Sequence, residues 1–114
     1  MTYGDGNTFD ILTAADVCGH EIGHAVCTFT ADLAYQNQSG GMNEGFSDIW
    51  AAAVENFAVE DIDPTLADRY QPFSIGEQID ERDGGIQPEE NSAEMAALRF
   101  MDDPNAAGDP DCVL

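Results

Sequence analysis

The sequence predicts a mainly α fold built on an antiparallel pair of helices, followed by acidic, turn-rich loops. Ile22, Val26, Phe29 and Leu33 recur at steps of four, three and four, which is helical spacing. Phe46, Ile49, Trp50, Ala53, Val54 and Phe57 repeat the pattern further on. Beyond Pro64 the periodicity fades, and Gly, Pro and Asp punctuate the chain.

Residues 1–12, rich in Gly, Asp and Asn, read as a loop or strand end. Thr13 is a good N-cap with Asp16 three residues on, so the first helix is expected from Thr13 to about Ala31, with its apolar stripe in the core. Residues 36–41 read as a polar, Gly-rich connection. The second helix is expected from about Met42 to Val59, burying its aromatic and aliphatic side. Residues 75–79 suit a short helical turn or a strand, residues 80–91 an acidic loop, and residues 92–101 a helix by propensity. Residues 102–111, with Pro104, Gly108 and Pro110, are turn-rich. There is no internal repeat or low-complexity tract.

At 114 residues the chain is long enough for one domain with a core. Its longest apolar run, residues 49–54, is far too short to span a membrane. Met1 is followed by Thr2, Tyr3, Gly4, Asp5 and Gly6, not by a basic and then an apolar run, so no signal peptide is visible. Met1 is not expected to be a natural start, and the chain reads as a fragment of a longer one. Against 23 acidic residues stand Arg69, Arg82 and Arg99, for a net charge of −20. That charge argues against nucleic acid and anionic membranes as partners. Most of the carboxylates are expected to be solvated, in keeping with a salty medium, and some to bind calcium. Cys18 and Cys27 would lie about 13 Å apart along one helix, on opposite faces, and cannot pair with each other. Either could pair with Cys112, or all could be reduced.

The only two histidines stand in one run, His20-Glu21-Ile22-Gly23-His24. Four residues apart on a helix, both imidazoles face one ion, and Glu21 falls beside them, placed to take a proton from a metal-bound water. This points to a zinc hydrolase, and first to a metalloprotease. A catalytic zinc wants three protein ligands and one open position. Glu44, twenty residues beyond His24 at the start of the second helix, is the best third ligand.

The second helix offers a check. Glu44, Asp48 and Glu55 are four and seven residues apart, close to three turns in all, and so share one stripe. Asp16 lies one turn before His20. Antiparallel packing with Glu44 at the zinc brings Asp48 to His20, where a carboxylate can hold the second ring nitrogen. It also brings Asp16 to Glu55. Carboxylates so paired repel unless one is protonated or a cation lies between them, and oxygen-only ligands favour calcium. Glu77 is a further candidate ligand.

With these residues in place the chain resembles the thermolysin-like metallopeptidases, a gluzincin family. The resemblance runs through residues 1–6 (MTYGDG), 16–26 (DVCGHEIGHAV), 35–49 (YQNQSGGMNEGFSDI), 75–77 (IGE), 98–104 (LRFMDDP) and 108–111 (GDPD). Residues 56–72 and 79–97 align poorly. The resemblance implies that residues 1–114 are the central part of a catalytic domain, a mainly α fragment of an α+β zincin fold. It implies His20, His24 and Glu44 as zinc ligands and Glu21 as the catalytic glutamate. Asn43 and Asp48 match the partners of the two histidines, and Tyr35 a tyrosine that helps to stabilise the oxyanion. Asp16, Glu55 and Glu77 match calcium ligands. Arg99 matches an arginine that contacts the substrate backbone, and Leu98 lies by the pocket for the side chain after the scissile bond.

The implied activity is zinc-dependent endopeptidase, hydrolysing peptide or protein substrates through a zinc-bound water activated by Glu21. The implied setting is extracellular. Where the family carries further calcium-binding acids this chain has Pro72, Ser74 and Gln78, so one calcium is expected rather than a pair. The family's later oxyanion-assisting histidine and its substrate-binding edge strand are not found between Met1 and Leu114. Two other classes stay open: an inactive zinc- and calcium-binding module, and a calcium-stabilised interaction domain with a decayed site. The intact Glu21 disfavours the second.

Overall fold

A computed structural model describes residues 13–69, 71–77 and 97–108. The expectations for residues 1–12, 78–96 and 109–114, including the acidic loop and Cys112, lie outside the described residues. Helix α1 spans Ala15–Thr30 and helix α2 spans Asn37–Phe57. A π-helical turn, Ala58–Ile62, continues α2, and a 3-10 segment follows at Pro64–Arg69. Strands β1 (Ser74–Ile75) and β2 (Arg99–Phe100) pair antiparallel, with Ser74 opposite Phe100 and Ile75 opposite Arg99. A second 3-10 segment spans Pro104–Ala107. The described part is mainly helical.

Several expectations need correction. Thr13 does not cap α1: the cap position is Ala14, which makes no side-chain cap bond. Asp16 instead accepts the Val17 N–H at 2.7 Å, taking up one of the first turn's free donors. Residues 37–41 are not a connection but the first turn of α2. That turn closes through Gly40 N–H to the Gln36 carbonyl at 3.0 Å, and Ser39 Oγ donates to the carbonyls of Ala34 and Gln36. These local bonds outweigh the low helix propensity of the paired glycines. Residues 99–100, expected to be helical, form β2, because pairing with β1 decides what so short a segment does.

The larger correction concerns the core. The apolar stripes expected inside are exposed: Ile22 by 55%, Phe29 by 88%, Trp50 by 50% and Phe57 by 55%, with Val26, Phe46, Ile49, Ala53 and Val54 also exposed. The helices meet instead on small and polar faces. The buried residues of α1 are Asp16, Gly19, His20, Gly23 and Cys27. Those of α2 are Gly40, Asn43, Ser47, Asp48, Ala51 and Glu55. Glycine makes this possible. A Cβ on Gly19 would lie 3.0 Å from Ala51 Cα, and one on Gly23 would lie 2.7 Å from Ser47 Cα. Position rises along α1 as it falls along α2, so the pair is antiparallel. Among the described residues the buried apolar side chains are Ala51, Val59, Ile75, Ala97 and Phe100, with Cys27.

Candidate metal centre

The buried faces of α1 and α2 carry two clusters of ligating side chains. In the first, ligand atoms of His20, His24 and Glu44 all lie within 4.8 Å of one another. His20 Nε2 stands 3.2 Å from Glu44 Oε2, and His24 Nε2 stands 3.5 Å from Glu44 Oε1. Two ligand atoms on one tetrahedral zinc lie about 3.3 Å apart when the metal bonds are near 2.0–2.1 Å. The two separations, one to each Glu44 oxygen, lie near that value and are compatible with zinc.

The other ring nitrogens fix the tautomers. His20 Nδ1 donates to Asp48 Oδ1 at 2.7 Å, and His24 Nδ1 donates to Asn43 Oδ1 at 2.8 Å. An amide oxygen can only accept, so Nδ1 carries the proton on His24 and Nε2 presents a lone pair towards Glu44. Ser47 Oγ donates to the Asn43 carbonyl at 2.8 Å and lies 3.1 Å from His24 Nδ1, a second acceptor for the same N–H. The sequence pattern includes Ser47 but assigns it no role of its own. Its signal is its place one turn after Asn43 and opposite Gly23. The imidazoles meet edge to face, with centroids 4.5 Å apart. Glu21 follows His20 on α1 and is half-buried. The Tyr35 hydroxyl donates to Glu44, and the ring is 68% exposed.

Asp48 has a second partner. Arg99 Nε donates to Oδ2 at 2.9 Å, and Nη2 donates to Oδ1 at 2.7 Å. Burial pushes the Asp48 carboxyl up, but the hydrogen bonds and charges of His20 and Arg99 outweigh it and hold the group below its ordinary value.

The second cluster is Asp16, Glu55 and Glu77, all buried, again with ligand atoms within 4.8 Å. Gly76 places it. Its backbone N–H donates to Asp16, its φ is +82°, and a Cβ there would lie 2.6 Å from Leu98 Cγ. Only glycine fits that position. Glu77 Oε1 accepts the Gln71 N–H at 3.2 Å, while Glu77 Oε2 is buried with no hydrogen-bond partner among the described residues. Burial, with the charges of Glu77 and Asp16, raises Glu55 to about 8. Burial, with Asp16, raises Glu77 to about 7. Three carboxylates converging within 4.8 Å of one another fit an oxygen-preferring cation such as calcium.

The sequence-predicted residues thus fall into two groups that share the helix pair. Leu98 stands against Gly76, and Arg99 is on Asp48. Cys18 and Cys27 are free thiols.

Family models bear on this arrangement. Residues 31–114 match the model described as thermolysin metallopeptidase, alpha-helical domain, and residues 1–28 match the one described as thermolysin metallopeptidase, catalytic domain. The chain belongs to the thermolysin metallopeptidase family. It is 41% identical to the transglutaminase-activating metalloprotease of Streptomyces mobaraensis over 108 residues, 95% of this chain and 12% of the relative. It is likewise 41% identical to thermolysin of Alicyclobacillus acidocaldarius over 114 residues, 97% of this chain and 18% of the relative. The structure of the protealysin precursor of Serratia proteamaculans superposes with a TM-score of 0.63 at 31% identity, covering 86% of this chain and 27% of that one. The chain therefore spans less than a fifth of the length of these two curated relatives.

Proposed function

We propose that this chain carries the metal centre of a zinc-dependent endopeptidase. The observation that carries the reading is the convergence of His20 Nε2, His24 Nε2 and Glu44, with the far nitrogen of each imidazole held by Asp48 or Asn43. Bound zinc would supply the Lewis acidity that makes water a good nucleophile near neutral pH. Glu21 is the general base: its carboxylate takes the proton of the attacking water and returns it to the leaving amine nitrogen. The Tyr35 hydroxyl, which donates to Glu44 here, would turn its donor to the carbonyl oxygen of the scissile bond. Asn43 and Asp48 keep the imidazoles in the ligating tautomer. Leu98 and Arg99 form the substrate side, with Arg99 reaching the peptide backbone.

Asp16, Glu55 and Glu77 hold one calcium, which screens their mutual repulsion and fastens β1 to both helices. The substrate is a peptide or protein. The acidic surface and the family suit an exported enzyme, and no helix among the described residues is long and apolar enough to cross a membrane.

The test is zinc stoichiometry by elemental analysis, beside Glu44→Ala. The expected result is one zinc per chain, lost or much weakened in the variant. A folded protein that takes up no zinc would sink the reading. Zinc uptake without peptide cleavage would favour a metal-binding module instead.

A further inference from the structure

The family resemblance gives Arg99 a duty towards substrate. The structure shows what the guanidinium does before any substrate arrives. Its Nε and Nη2 grip both oxygens of Asp48 side-on, at 2.9 and 2.7 Å. Asp48 Oδ1 is the same atom that accepts from His20 Nδ1 at 2.7 Å, and Arg99 Nη2 lies 3.3 Å from that nitrogen. Arg99, Asp48 and His20 therefore form one line from β2 through α2 to α1. Asp48 is 8% exposed and His20 8% exposed, so the line is buried over most of its length.

A monodentate carboxylate can rotate about its Cβ–Cγ bond, and the imidazole it holds would rotate with it. A planar fork across both oxygens removes that freedom. The choice of residue is also informative. The chain has three cations in 114 residues, all arginine. One of them stands on the carboxylate that supports a zinc ligand.

We infer that Arg99 is a positioning residue of the metal centre, locking Asp48 so that His20 Nε2 is aimed at the metal, in addition to any contact with substrate. The inference rests on the zinc reading above. It predicts that Arg99 affects the metal with no substrate present. Residues that orient metal-bound histidines influence affinity by roughly 10–100-fold.

The experiment is zinc affinity by chelator competition, with the visible spectrum of the cobalt-substituted protein, for the parent chain, Arg99→Gln, Arg99→Lys, Asp48→Asn and the double variant Arg99→Gln/Asp48→Asn. Arg99→Gln should weaken zinc roughly tenfold and alter the cobalt bands. Arg99→Lys should recover the affinity only in part, because one ammonium cannot span both oxygens. Arg99→Gln should cost little more once Asp48→Asn is present, since the arginine acts through that carboxylate.

A zinc affinity in Arg99→Gln within twofold of the parent would overturn the inference, as would effects of the two single variants that simply multiply. If Arg99→Gln does not fold, Arg99→Lys decides: parental affinity with unchanged cobalt bands refutes the fork. A parent chain that binds no zinc refutes the underlying reading instead, so the two failures are distinguishable.

Discussion

Gly23 and Ser47 touch backbone to backbone at the heart of the helix pair: a Cβ on Gly23 would lie 2.7 Å from Ser47 Cα and 3.1 Å from Ser47 Oγ. The contact lies between His20 and His24 on α1 and between Asn43 and Asp48 on α2. The separation of the helices, and with it the spacing of the ligands, is therefore set by a missing methyl group. Gly23→Ala should gain about 1 kcal/mol in helix propensity. Pushing the helices apart should cost about 1–3 kcal/mol. The net expectation is a lower melting temperature together with weaker zinc binding, because His24 and Glu44 separate. Thermal unfolding with and without zinc checks this. Unchanged values in both conditions would mean that the helices accommodate the methyl freely.

Much of the site was legible because helical spacing is rigid. Asp16, His20 and His24 on one stripe, set against Glu44, Asp48 and Glu55 on another, allow only one antiparallel register. The structure places these residues together in that register. Burial was not legible. An apolar period identifies an amphipathic helix, but not which face meets its neighbour. In α1 and α2 the face that meets the neighbour is made of glycine, alanine, serine and the site's own polar groups, and the Ile22–Val26–Phe29 side is exposed. The short strands were hidden for another reason. Two residues carry no period, and the grip of Arg99 on Asp48 joins positions 51 apart. No local rule could pair them.

The carboxylate cluster should make stability depend on both pH and calcium. Without a cation, Glu55 near 8 and Glu77 near 7 stand above the ordinary 4.5. A carboxyl raised in the fold favours the neutral form there. Its contribution is complete below the unfolded value and is lost as pH rises through the folded one. The calcium-free chain should therefore lose on the order of a few kcal/mol between about pH 5 and pH 8. Calcium binds the ionised form, so the loss should shrink or vanish at millimolar calcium. Melting curves across that range with calcium or chelator check it. A flat profile in chelator would refute the buried, coupled cluster.

Glu77→Gln separates charge from shape in the same cluster. The amide keeps the volume of the side chain and the acceptor for the Gln71 N–H, and it removes one of the three ionisable groups. At pH 8 in chelator the variant should melt at or above the parent temperature. In calcium it should fall below the parent, because a ligand charge is gone. Opposite signs in the two conditions are the signature of a cation site. A loss of equal size in both would mark Glu77 as merely a packing residue.

Glu21→Gln isolates the proton transfer. Glu21 is half-buried on α1 and is not among the side chains that converge on Glu44, so its amide should leave zinc stoichiometry at the parent value. General-base catalysis contributes roughly 10²–10⁴-fold, so if the intact enzyme is the proposed endopeptidase, its cleavage of a fluorogenic peptide should fall by at least about 100-fold. Retained zinc with lost cleavage assigns the proton to Glu21. Zinc lost together with cleavage would mean that the carboxylate holds the metal instead, and full activity would remove Glu21 from the chemistry altogether.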